Sequence, residues 1–82
     1  MSKYIQKKIK PEYYSEVVAH RKNFELRADE DDIQPGDWLI LNEYREREGR
    51  YTGRKTSRRV QYVLRDCEEY GLKPGYCIIS FL

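Results

Sequence analysis

The sequence lacks the long apolar runs that membrane insertion requires. Within its 82 residues, the longest uninterrupted apolar run covers only positions 38–41, whereas a membrane-spanning helix needs about 20 such residues. The N-terminus leads into Lys7, Lys8 and Lys10 without the apolar segment of a secretory signal. These absences predict a cytoplasmic protein with no membrane partner.

Cysteine and histidine are also scarce. The chain has 2 cysteines, Cys67 and Cys77, and 1 histidine, His20. They cannot form a four-ligand structural zinc site without carboxylates, so we expect neither a metal nor another cofactor. A disulfide between the cysteines is conceivable, but free thiols are the better interpretation for a cytosolic chain. A Ser-His-Asp or Cys-His hydrolase would depend on His20 alone, which argues against those enzyme classes.

The aromatic content argues against disorder. The chain contains 8 Tyr, 2 Phe and 1 Trp, whereas disordered segments are poor in aromatic residues. Its length is typical of a single domain with one core, which we assign to residues 1–82.

Charge has little overall excess of one sign but is segregated along the chain. The net charge is only +2, yet residues 1–10 are rich in lysine, residues 29–37 are acidic, and residues 45–59 are mostly basic. Arg54 and Arg58 lie in the last of these segments. Because basic residues interleaved with tyrosines can track phosphates and stack on bases, we predict that both bind nucleic acid.

An alternative for the basic segment is a solvated hairpin in which Glu46 and Glu48 neutralise neighbouring arginines. The sequence does not decide between these two interpretations.

Hydrophobic periodicity predicts one helix and about five strands. Pro11 is typical of a first helical turn, and Tyr14, Val17 and Val18 form one apolar face of a helix over residues 11–21. Strands are predicted over residues 3–9, 23–27, 37–44, 56–64 and 76–82, with a hairpin tip over 45–54 and a helical turn over 66–70. Such a short α+β chain favours a small curled sheet or barrel with the helix packed on it.

The alternating pattern also predicts the core. Within residues 23–27, Phe24 and Leu26 are expected to face inward, which places Glu25 and Arg27 together on the opposite face. The predicted buried residues are Phe24, Leu26, Leu39, Leu41, Val60, Tyr62 and either Ile78 or Ile79.

A motif near the end of the helix carries a family resemblance. Lys22, Glu25 and Arg27, followed by the Gly36-Asp37 turn and an apolar strand, resemble the Gly-x-Lys-x-x-Glu-x-Arg signature of the ASCH family, with His20 in place of its glycine. The chain is most similar to small bacterial and phage proteins of the ASCH/PUA-like superfamily. The matching segments are residues 8–13 (Lys-Ile-Lys-Pro-Glu-Tyr), 36–43, 51–54 and 70–76.

This resemblance implies a small PUA-like mixed β-barrel and a module that binds RNA or another nucleotide-like ligand. Lys22, Glu25 and Arg27 would line a cleft beside the C-terminal end of the helix. Arginine can meet phosphate or a base edge with its planar fork, lysine supplies a point charge, and a carboxylate can accept a hydrogen bond from an exocyclic amino group.

Two other functions, and one purely structural interpretation, remain open. One ASCH branch hydrolyses an acetylated cytidine nucleoside with a threonine where this chain has Glu25, so a small amidohydrolase using Lys22, with Glu25 or Glu43 as acid and base, is the enzymatic alternative. A protein-interaction module that uses the basic hairpin is the other. Glu25 and Arg27 could also form no more than an intramolecular ion pair.

Overall fold

The computed structural model describes residues 2–82 and contains one α-helix and five strands. A 3-10 turn over Glu68–Tyr70 precedes the last strand. None of these described residues forms a helix with the length and hydropathy needed to cross a bilayer. In chain order the elements are β1 (Tyr4–Ile9), α1 (Pro11–Val18), β2 (Phe24–Ala28), β3 (Trp38–Arg45), β4 (Arg50–Leu64) and β5 (Tyr76–Phe81).

Each predicted element is present, and the two largest differences in boundaries are at the helix and at β4. The helix ends at Val18 rather than at residue 21, and β4 begins at Arg50, so the hairpin tip shrinks to residues 46–49. The helix cannot continue through His20, two residues later, because its φ of 60° lies in the left-handed region.

The strands form one mixed sheet in the order β1-β3-β4-β5-β2. Strand β1 runs parallel to β3, and the other neighbouring pairs are antiparallel. Within the described part of the chain, the edge strands β1 and β2 do not pair with each other, so the sheet is not closed. The fold is therefore a small α+β domain with an open, mixed sheet.

The helix packs on β3 and covers one face of the sheet, which we call the inner face. Tyr14 and Val17 are buried there with Leu39 and Leu41. Val18 was expected beside them but is 41% exposed, because it is the last helical residue and lies beyond the apolar contact. We call the opposite face of the sheet the outer face.

The predicted orientation of β2 is wrong. Phe24 and Leu26 are 47% and 57% exposed, whereas Glu25 is buried. Glu25 lies opposite Ile79, a core residue of β5, so it shares the inner face with that residue. Alternation separates two faces but does not say which one points inward, and here the inward face carries the charged residues.

The predicted burial of Tyr62 is also wrong. Val60 is buried as expected, but Tyr62 is 61% exposed and Val63 packs against the core in its place. The register of β4 against β5 shifts between Val60 and Tyr62. Such a bulge adds one residue, which reverses the alternation of the side chains beyond it.

The rest of the predicted core is confirmed. Leu39, Leu41, Val60 and Ile79 are all buried. Cys67 and Cys77 are free thiols, as the sequence predicts.

Candidate functional site

A cavity of about 760 Å³ lies between the two edge strands of the sheet. Ile9 of β1 and Leu26 of β2 contribute to opposite walls, and Lys10 and Tyr13 line it from the start of the helix region. The sequence placed the cleft beside the C-terminal end of the helix, and Lys22 and Phe24, which follow that end, do line the cavity. The cavity also extends to the point where β1 leads into α1.

Glu25 provides a buried carboxylate in this cavity. The residue is only 4% exposed, and Nε of Arg27 donates a hydrogen bond of 2.9 Å to its Oε2 atom. The ammonium group of Lys22 contacts its Oε1 atom. The structure thus brings the predicted residues Lys22, Glu25 and Arg27 together, and both cations offset the cost of burying the carboxylate.

Lys22 is held by a nearby backbone carbonyl and by aromatic rings. Its Nζ atom donates a hydrogen bond of 2.8 Å to the carbonyl of Phe24. The same atom lies 4.9 Å from the centre of the Phe24 ring and 5.4 Å from that of Tyr13. Cation–π contacts of this kind orient an ammonium group without neutralising it.

The turn before Lys22 explains how the lysine reaches the cavity. The backbone N–H groups of Arg21 and Lys22 both donate to the carbonyl of Glu16, which folds the chain back after the left-handed residue His20. Glycine adopts this conformation with the least strain.

Arg27 connects the two edges of the sheet. Besides its contact with Glu25, its guanidinium donates a hydrogen bond from Nη2 to the backbone carbonyl of Lys8 on β1. A second link joins the same regions, because Lys7 forms a 2.6 Å ion pair with Asp31, which lies beyond β2. These contacts position the cavity walls relative to each other.

The lining of the cavity combines excess positive charge with aromatic surface. Cationic side chains outnumber acidic ones by 4 to 2, and Tyr44 adds a further ring to those of Tyr13 and Phe24. This lining suits an anionic ligand that carries a flat ring. The cationic members are Lys8, Lys10, Lys22 and Arg27, and the acidic members are Glu25 and Glu46.

Arg54 lies outside this lining and holds a different buried carboxylate. Its Nε and Nη2 atoms each donate a hydrogen bond of 2.8 Å to Glu43, and the hydroxyl of Thr52 adds one of 2.6 Å. The hydrogen bonds from Arg54 lower the pKa of Glu43 despite its burial. Glu43 is therefore poorly suited to donate a proton as the general acid of the enzymatic alternative.

Arg58 is half-buried and supports the helix. It donates hydrogen bonds of 2.5 Å to the hydroxyl of Thr56 and 3.2 Å to the carbonyl of Val17, in the last turn of α1. Arg54 and Arg58 thus make internal contacts and are not brought together with Lys22, Glu25 and Arg27. Their predicted role in binding nucleic acid stays a prediction.

Several cavity residues were missed at the sequence level. Lys8 and Lys10 belong to the lysine-rich N-terminal segment. The sequence showed this segment but not that it lies beside the cavity. Tyr13 was noted only as flanking the apolar stripe of the helix, and Phe24 was assigned to the core. Within residues 2–82, no group of 3 or more His, Cys, Asp or Glu side chains is placed to hold a metal ion.

The family model described as a domain of unknown function, DUF3850, matches residues 5–81. No curated protein matches the sequence. Since the family model covers the helix and all but the first residue of the sheet strands, the chain belongs to the DUF3850 family.

Proposed function

We propose that the protein binds a nucleotide-like ligand, free or as part of an RNA chain, in the cavity between β1 and β2. One observation carries this proposal. The buried carboxylate of Glu25 is held between Lys22 and Arg27 in a cavity whose lining is cationic and aromatic. A nucleotide combines the matching chemistry, because it carries an anionic phosphate and a flat base with polar edges.

The donors and acceptors of the site suit both parts of such a ligand. An arginine has five N–H donors, and only Nε and Nη2 of Arg27 are occupied by Glu25 and Lys8. The remaining donors can bind phosphate or a base edge. The carboxylate of Glu25 has about four lone-pair positions, so it can accept a hydrogen bond from an exocyclic amino group while it keeps both cations.

The same proposal relates the chain to the ASCH branch of the PUA-like superfamily. Two observations support the relationship. His20 has the left-handed φ that suits the glycine of the ASCH signature, and Lys22, Glu25 and Arg27 lie around one cavity as the resemblance implies. In this proposal the fold is a PUA-like barrel. The strands β1 and β2 do not pair, and the hydrogen bond from Arg27 to the Lys8 carbonyl connects them.

Calorimetric titration of the four nucleoside monophosphates tests the proposal. Replacing Glu25→Gln keeps the shape of the side chain but removes its charge, and we expect a loss of about 1–3 kcal/mol for the preferred base. Arg27→Lys should also weaken binding, since an ammonium group cannot reproduce the guanidinium fork. The matched controls are Glu16→Gln and Arg21→Lys, which make the same changes in an exposed ion pair on the helix side.

The controls should bind like the wild type. Absence of binding by the wild type, or equal losses in the cavity variants and their controls, would contradict the proposal. A parallel screen with acylated nucleosides addresses the enzymatic alternative. Turnover that disappears in Lys22→Ala would establish hydrolysis in place of simple binding.

A further inference from the structure

The outer face of β1, β3 and β4 is a second surface with unusual composition. The strand register places the side chains of Tyr4, Trp38 and Arg59 in one row across the three strands. Tyr44 and Tyr51 form another row toward the hairpin, with their ring centres 4.9 Å apart. The helix lies on the inner face, away from these rings. Tyr4 and Tyr51 are 70% and 54% exposed, whereas Trp38 and Tyr44 are half-buried.

Positive charge accompanies the rings. Arg59 lies 5.4 Å from the ring centre of Trp38, and Lys8 lies 4.3 Å from that of Tyr44. Lys55 is exposed between them, opposite Asn42. Among the described outward-pointing residues of these three strands, none is acidic. Within residues 2–82, none of the three cations forms an ion pair.

We infer that this outer face binds single-stranded nucleic acid, with phosphates at Lys55 and Arg59 and bases stacked on the exposed rings. Cations that lack acidic partners are free to contact phosphates, and stacking on aromatic rings tolerates any base. A duplex fits less well, because its bases are already stacked on one another. Single-stranded RNA and DNA share the chemistry that this face recognises.

The dimensions of the face suit a strand rather than a single nucleotide. Trp38 and Tyr44 lie near opposite ends of β3, which at about 3.3 Å per residue separates them by about 20 Å. Stacked nucleotides are spaced by about 3.4 Å, so several fit along this distance. Lys8 and Tyr44 also line the cavity, and a strand on the outer face can therefore continue into it.

This inference extends the proposed function from one nucleotide to a strand and rests on it for the ligand class. Fluorescence anisotropy with a labelled oligouridylate and its deoxyuridine counterpart tests it across a range of salt concentrations. The charge variant is Lys55→Gln/Arg59→Gln, which leaves the cavity lining intact. Its matched control is Arg21→Gln/Lys73→Gln, which removes the same net charge from exposed positions elsewhere.

The charge variant should bind more weakly and show a shallower salt dependence than the control. For single strands each lost phosphate contact lowers the slope of log K against log salt by about 0.7, so we expect a decrease of about 1.4. Tyr51→Ile keeps a strand-forming apolar residue but removes a ring. It should weaken binding by about 5-fold to about 150-fold, the equivalent of one lost stacking contact. Circular dichroism of each variant verifies that it is folded.

Equal effects of the charge variant and its control, or undiminished binding by folded Tyr51→Ile, would overturn the inference. A duplex that binds as tightly as the single strand would also overturn it. Titration of uridine monophosphate separates this outcome from failure of the proposed function. If Lys55→Gln/Arg59→Gln and Tyr51→Ile bind the mononucleotide normally but lose the oligonucleotide, both proposals hold. If oligonucleotide binding depends only on Arg27, the cavity is the binding site and the outer face is rejected.

Discussion

The guanidinium of Arg27, on the edge strand β2, donates a hydrogen bond to the backbone carbonyl of Lys8 on the opposite edge strand, β1. The same guanidinium is one of the two cations that neutralise Glu25. One side chain therefore links the two walls of the cavity and sets the charge inside it. We therefore expect the stability of the fold and the proposed ligand binding to depend on this residue together.

Truncation of Arg27 should lower stability. Arg27→Ala removes hydrogen bonds to a buried carboxylate and to a backbone carbonyl, and hydrogen bonds that involve charged groups contribute about 1.5–3 kcal/mol each. We expect the free energy of unfolding, measured in urea, to fall by about 2 kcal/mol. This is less than two fully buried bonds would give, because the guanidinium is partly exposed and Lys22 still pairs with Glu25. Arg21→Ala, which breaks only an exposed ion pair, should leave the midpoint unchanged. Equal midpoints for both variants would refute the structural role of Arg27.

Two leucines test the orientation of the strands. Leu41 is fully buried, whereas Leu26 is 57% exposed on the outer face. Leu41→Ala should cost about 2–5 kcal/mol of unfolding free energy, and Leu26→Ala less than about 0.5 kcal/mol. Denaturant unfolding of the two variants measures both values. A larger loss for Leu26→Ala would restore the orientation that the sequence pattern alone predicts.

The error at β2 has a physical cause that a single sequence does not reveal. The alternation of Phe24, Glu25, Leu26 and Arg27 correctly predicted a strand with two unlike faces. Assigning the apolar face to the interior is the usual choice, because burying a carboxylate is costly. Here Lys22 comes from outside the strand to share Glu25 with Arg27, and that contact exists only in the folded chain.

Other parts of the fold followed from local pattern. Pro11 marked the start of the helix, and the alternation in β3 correctly placed Leu39 and Leu41 in the core. The bulge after Val60 could not be predicted, because no glycine or proline marks it in the sequence. The internal contacts of Arg54 and Arg58 were missed for a similar reason, since exposed and internally bonded arginines look alike in a sequence.

Acid should weaken the contribution of Glu43 to stability. Its pKa is lowered in the folded protein by hydrogen bonds from Arg54, while the unfolded value is about 4.3. A lowered folded pKa contributes stability above the unfolded value, and this contribution is lost as the pH falls through the folded pKa. The stability advantage of the wild type over Glu43→Gln should therefore shrink as urea unfolding is moved from neutral to strongly acidic pH. An advantage that does not change with pH would contradict this assignment.

The two thiols should differ in reactivity. Cys77 is fully buried, and burial raises the pKa of its thiol, whereas Cys67 is half-buried near the 3-10 turn. Because the thiolate is the reactive species, a thiol-specific reagent should modify native Cys67 first and Cys77 only after unfolding. The variant Cys67→Ser should then show almost no fast phase. A fast phase of unchanged amplitude in this variant would contradict the predicted difference.

Titration of a nucleoside monophosphate into isotope-labelled protein, followed by amide chemical shifts, tests the cavity most directly. We expect saturable shifts concentrated at Lys22, Glu25 and Arg27 and at Tyr13 across the cavity. Leu72, which lies outside the lining, should change little. The shifts should weaken in Arg27→Lys but not in Arg21→Lys. Saturable shifts confined to residues outside the cavity, or no shifts at all, would contradict the claim that this cavity binds a nucleotide.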